Sequence, residues 1–67
     1  MDSKYETGDL IQIRDQNRID GVDGIYLVLE FYRAERMTNY YKLMNVKSGS
    51  VTDFREATVN TYFYKVA

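Results

Sequence analysis

The run Ile25-Tyr26-Leu27-Val28-Leu29-Glu30-Phe31-Tyr32 is mostly apolar on both of its faces when extended. Side chains alternate between the two sides of a strand, so a run of this kind needs cover on both. Gly24 opens it, and a long central strand that bends and serves two half-sheets satisfies the pattern. The rest of the chain has to be arranged around that strand.

Little chain is available to do so. With 67 residues there is room for one domain. A chain of this size buries only about 60% of the surface its unfolded form exposes. Cysteine and histidine are both absent, so neither a disulfide nor the usual zinc ligands can support the fold. Stability has to come from packing or from a partner subunit. The compensation is aromatic: seven tyrosines and three phenylalanines, each burying far more area than a small aliphatic residue.

The remaining segments read as strands separated by glycine and polar turns. Asp9 to Arg14 alternates, with Ile11 and Ile13 on one face and Gln12 and Arg14 on the other. Asp15 to Asp23 is dense in turn formers and reads as a loop, or as a splayed hairpin held by Ile19 and Val22. Arg33 to Thr38 turns the chain. Asn39 to Lys47 is the third strand, with Tyr41 and Leu43 on one face and Tyr40, Met44 and Val46 on the other. Ser48-Gly49 is a tight hairpin turn in which Gly49 supplies a positive φ. Val51 to Arg55 returns, Glu56 to Thr58 is a short 3₁₀ connector, and Val59 to Val66 is the closing strand. The expected fold is all-β, a five-stranded SH3-like barrel over 1–67, with a 3₁₀ turn before the last strand and 1–7 as a loose leader. Closure would remove the exposed strand edges. The alternative is a twisted meander that dimerises through an edge.

Two segments carry a resemblance. Gly8-Asp9-Leu10-Ile11-Gln12-Ile13 resembles the opening strand of SH3-like barrels of the KOW type. Gly21-Val22-Asp23-Gly24-Ile25-Tyr26-Leu27-Val28 resembles the glycine-flanked entry to their second strand. The resemblance implies a small barrel, while the basic residues common in nucleic-acid-binding KOW modules are sparse. Gly24-Ile25-Tyr26-Leu27-Val28-Leu29-Glu30, followed by Ser48-Gly49-Ser50 and an aromatic closing strand, is also similar to small proteins of tailed phages, cyanophages in particular. That likeness implies a phage-encoded protein in the host cytoplasm or the virion, and says little about activity.

Several functions lack their chemistry. Without His or Cys, nucleophilic catalysis would need a carboxylate or lysine base, and there is no Gly-x-Ser-x-Gly elbow. No enzymatic activity and no cofactor are expected. The segment starting at Asp15 partly matches a calcium loop, but Ile19, Asp20 and Tyr26 stand where oxygen ligand, glycine and glutamate are required. Gly21-x-x-Gly24 is too short for a dinucleotide fingerprint. No apolar run approaches the roughly 20 residues needed to cross a bilayer, and Met1 to Thr7 is polar apart from Tyr5, so neither a membrane nor a signal peptide is expected.

What remains is binding through tyrosine. Nine basic and ten acidic residues give a formal net charge of −1, which disfavours a strong grip on phosphate. Tyrosine-rich, mixed-charge surfaces suit protein contacts. The expected function is a non-enzymatic binding or adaptor module acting on a protein partner, through Tyr26, Tyr40, Tyr41, Lys42, Tyr62, Tyr64 and Lys65. Tyr32 joins the same set if the tyrosines line a groove, with Asp15, Asp20 and Asp23 facing a basic ligand. The alternative is a weak single-stranded nucleic-acid binder, stacking bases on Tyr40, Tyr41, Tyr62 and Tyr64 beside Lys42, Lys47 and Lys65, with phosphate contacts from Arg33 and Arg36. Either exposed face leaves room for an oligomer.

Overall fold

The computed structural model describes residues 4–15, 19 and 21–67, with the backbone only at Glu35. The long central strand is β2 (Ile25–Arg33), flanked by β1 (Leu10–Ile13) and β3 (Asn39–Asn45). Outside these lie β4 (Val51–Arg55) next to β3 and β5 (Phe63–Lys65) next to β1, giving one antiparallel sheet in the order β4-β3-β2-β1-β5. A 3₁₀ turn (Glu35–Met37) joins β2 to β3, and a short helix, α1 (Glu56–Tyr62), joins β4 to β5.

A bulge gives β2 its double role. Val28 pairs with Leu43 and Glu30 with Lys42, leaving Leu29 as the extra residue. Before the bulge Tyr26 and Val28 face the core; after it Phe31 does, tilted against Tyr41 at 4.8 Å between ring centroids. Without the extra residue, Glu30 and Tyr32 would take the core-facing positions. Ile11, Ile13, Tyr41, Leu43 and Phe63 complete the same buried face, as the alternation in β1 and β3 predicts.

The sheet is rolled but not closed by hydrogen bonds, so the expected barrel is not shown. Its two terminal strands meet through side chains. Phe54 on β4 and Phe63 on β5 make an edge-to-face contact at 5.7 Å, and Tyr26 on β2 contacts both, at 6.1 and 5.9 Å. Such pairs contribute about 0.5–1.5 kcal/mol each beyond the area they bury.

Two expectations are corrected at the ends of the chain. Val59 to Tyr62 is helix, not strand, and the connector from Glu56 is α-helical rather than 3₁₀. The segment is rich in β-branched residues and too short to be stable as an isolated helix. Packing selects the helix: Val59 is fully buried and Tyr62, one turn later, lies against the core. Glu56 favours the helix start and accepts a hydrogen bond from Asn39 Nδ2 at 3.1 Å, which ties α1 to β3. At the other end, Tyr5, within the segment 1–7 expected as a loose leader, is anchored to the sheet. Tyr5 is 2% exposed, its N–H donates to the Tyr41 hydroxyl (3.2 Å), and its own hydroxyl donates to the Phe63 carbonyl (3.1 Å). Long-range packing of one ring is not visible in a polar heptapeptide.

The turns behave in two ways. Between β3 and β4 the chain leaves the ladder at Val46, earlier than expected, and returns after Gly49 (φ +80°). Asn45 organises this loop: its Oδ1 accepts from the N–H groups of Lys47 and Ser48, and its Nδ2 donates to the Asp23 carbonyl. Between β2 and β3, Arg36 and Met37 both hold left-handed φ (59° and 64°) although neither is glycine. After β1, Val22 is buried and its N–H donates to the Ile19 carbonyl at 3.2 Å, which links the two apolar residues of that loop. Gln16, Asn17, Arg18 and Asp20 of that loop, with the calcium-like positions among them, lie outside the described residues.

Two stability measurements check this account. Phe63→Ala removes a fully buried ring at the junction of β5, β2 and β4, and such truncations cost about 3–5 kcal/mol. A domain of this size holds roughly 3–10 kcal/mol in total, so urea denaturation is expected to find this variant largely unfolded without denaturant. Met37→Gly, at a 74% exposed side chain in the left-handed region, relieves strain of about 1 kcal/mol. Its thermal midpoint is expected to rise, and a fall would contradict the left-handed turn.

Candidate functional site

Because the sheet is rolled, one face is core and the other faces solvent. The register places side chains on the outer face in rows that run across the strands. One row is aliphatic: Val51 pairs with Met44, Met44 with Leu27, and Leu27 with Leu10. Leu10, Leu27 and Met44 are half-buried by their neighbours, and Val51 is 52% exposed. Gln12 lies between Tyr64 and Ile25 in the adjacent row. Val46 and Val66 are also exposed, near the ends of the sheet.

Beyond the aliphatic row, along β2, β3 and β4, the face becomes polar. Asp53, Lys42 and Glu30 form one row, and Arg55, Tyr40 and Tyr32 the next. Lys42 Nζ lies 3.9 Å from Glu30, with both side chains largely in water, so this pair contributes little to stability. The Tyr32 and Tyr40 rings stack at 5.7 Å with 17° between their planes. Loss of solvation first, and then a hydrogen bond to the Asp53 carboxylate, raises the Tyr32 phenol above its ordinary range.

The expected site residues separate into three groups. Tyr26 and Tyr41 are core, at 4% and 0% exposure, and neither lies on the outer face. Their positions correct the expectation, and the reason is parity: both sit on the buried face of their strands. Tyr62 is half-buried on α1 against the core. Tyr40 and Lys42 lie on the outer face at one end of β2, whereas Tyr64 lies on that face at the other end. Tyr64 donates to Gln12 Oε1 at 3.2 Å, and the Arg14 guanidinium sits 5.5 Å from its ring centroid. Lys65 lies 3.6 Å from the Asp9 carboxylate. The seven residues therefore do not form one cluster.

Sequence reasoning passed over Leu10, Leu27, Met44 and Val51. The signal was the second apolar face of β2, which a small barrel does not cover. A polar cleft of about 310 Å³ lies between the Gly21–Asp23 segment and the β3–β4 turn, lined among others by Tyr26, Lys47, Ser50 and Thr52. Among the described residues no group of three or more His, Cys, Asp or Glu could hold a metal ion. Among them too, no helix is long and apolar enough to cross a membrane.

Compared with protein-family models, curated proteins and solved structures, the chain matches none.

Two phenols give the structure a dependence on alkaline pH. Tyr5 is raised above the ordinary tyrosine range by burial, partly offset by the Arg14 charge, and Tyr32 is raised as described. In each case the folded state favours the protonated form. That contribution is complete below the unfolded pKa of about 10 and is lost as pH rises through the folded values. The thermal midpoint is expected to fall as pH passes about 10, and less so in Tyr5→Phe. An unchanged midpoint there would contradict the burial of Tyr5.

Proposed function

We propose that this chain is a non-enzymatic binding module with an SH3-like fold, and that its outer sheet face is the protein-binding surface. The strand order, the helical turn before β5 and the meeting of the two terminal strands at Phe54 and Phe63 support the fold reading. The observation that carries the functional reading is the continuous aliphatic row from Leu10 to Val51. Rows of this kind on a soluble face mark contact surfaces for other apolar groups.

Charge favours a protein over a nucleic acid here. Two of the cations beside the candidate tyrosines, Lys42 and Lys65, each lie near a carboxylate, while Arg14 lies against Tyr64 and Arg55 opposite Tyr40. Phosphate binding would have to compete with Glu30 and Asp9 for the two lysines. The aliphatic row has Gln12 and Ile25 on one side and the mixed Asp53–Lys42–Glu30 row on the other, with no basic margin.

The test is affinity capture of a partner from nuclease-treated lysate by the parent chain and by Val51→Glu. The substitution puts a charge on a half-exposed position of the solvent face, so the fold is expected to survive it. A protein retained by the parent and lost by the variant supports the reading. Equal retention by both, or saturable binding of single-stranded oligonucleotides at about 0.15 M salt, would replace it.

A further inference from the structure

We propose that the free edge of β4 takes an extended segment of the partner as an added antiparallel strand, read acidic–x–basic–x–aliphatic from its N-terminus. The inference rests on the protein-binding reading and specifies how the partner engages.

The ladder fixes which backbone groups of β4 are unused. In an antiparallel pair, directly opposed residues alternate between hydrogen-bonded and non-hydrogen-bonded. The Asn45 N–H donates to the Ser50 carbonyl at 2.8 Å, so that pair is bonded. Counting along the register, Leu43 with Thr52 and Tyr41 with Phe54 are bonded too. Met44 with Val51, Lys42 with Asp53 and Tyr40 with Arg55 are not. Val51 and Asp53 therefore direct N–H and C=O away from β3, and Arg55 directs its N–H the same way. Among the described residues no strand lies on that side.

The opposite edge is treated differently. On β5 the Phe63 N–H donates to the Val59 carbonyl, and the Phe63 carbonyl accepts from Tyr5. Lys65 then places a charged side chain at the end of that short strand, a common guard against edge pairing. The molecule uses the outward backbone groups of Phe63 on the shorter terminal strand and, among the described residues, leaves the longer one without a strand beside it.

The side chains on the open edge choose the occupant. Val51, Asp53 and Arg55 share the outer face. Full antiparallel overlap with a second copy would set Asp53 opposite Asp53, a destabilising pair. Sliding the copy to set Asp53 opposite Arg55 leaves only 53–55 overlapped, because α1 begins at Glu56. A different strand avoids both problems. Opposite Arg55 it wants a carboxylate, opposite Asp53 a cation, and opposite Val51 an aliphatic group. That last group would extend the row from Leu10 and cover Val51. Backbone bonds give such additions their affinity, and alternate side chains give specificity.

The experiment is an amide-shift titration of the isotope-labelled protein with a synthetic peptide carrying Glu-Thr-Lys-Thr-Val at its centre. Saturable shifts are expected at Val51, Asp53 and Arg55, with slowed exchange of their N–H groups. N-methylation at the peptide lysine removes a ladder hydrogen bond and is expected to weaken binding at least about tenfold. N-methylation at the threonine before it, whose N–H points away from β4, is expected to leave binding unchanged. The reordered peptide Lys-Thr-Glu-Thr-Val, with two like-charge pairs, is expected to bind at least about tenfold more weakly. Binding that ignores both the methyl position and the order, or no binding at millimolar peptide, overturns the proposal. If no peptide binds while Val51→Glu still loses the captured partner, strand addition fails and the protein-binding reading stands. If capture is also indifferent to Val51→Glu, both fail.

Discussion

The contact among Tyr26, Phe54 and Phe63 is the constraint on which the rest depends. These rings come from the central strand and the two terminal strands, so their packing rolls an open sheet into a body with an inside. Without it, β4 and β5 would be distant edges and the aromatic face would be half solvated. The bulge between Val28 and Glu30 lets β2 supply core residues on both sides of the bend. Helix α1 fills the corner between the edges with Val59 and Tyr62, and Tyr5 fastens the N-terminal segment over β5. A small chain without cysteine has few other ways to complete a core.

Joining the edges through side chains rather than hydrogen bonds has a consequence for the surface. The backbone of β4 keeps its outward groups, whereas those of Phe63 on β5 are used internally. The outer face keeps an aliphatic row that a small core cannot absorb. The same rolled sheet that stabilises the chain therefore leaves one face in solvent and, among the described residues, the outward backbone groups of β4 without a strand beside them.

Much of this was legible in the residues. Alternation in β1 and β3 assigned Ile11, Ile13, Tyr41 and Leu43 to one face, and β4 spans Val51–Arg55 as read. The doubly apolar run of β2 announced a bent central strand. What failed depended on long-range packing. Val59 to Tyr62 has strand-like composition and forms a helix that buries Val59 and packs Tyr62 against the core. Tyr5 lies in a polar segment and is held by partners 36 and 58 residues away in sequence, Tyr41 and Phe63. The candidate site was the least legible part. Tyrosine composition suited both core packing and surface contacts, and among the candidate site residues Tyr26 and Tyr41 are core. The parity that put Tyr41 beside Leu43 was already enough to exclude it from a binding face.

The most direct test of the rolled but open sheet is native-state amide exchange of the free monomer, resolved by residue along β4. The account predicts alternation: slow exchange at Thr52 and Phe54, whose N–H groups bond to β3, and fast exchange at Val51 and Asp53, whose N–H groups face water. Uniform slow exchange from Val51 to Arg55 would contradict it, because the outward N–H groups would then be bonded, by closure onto β5 or by another chain.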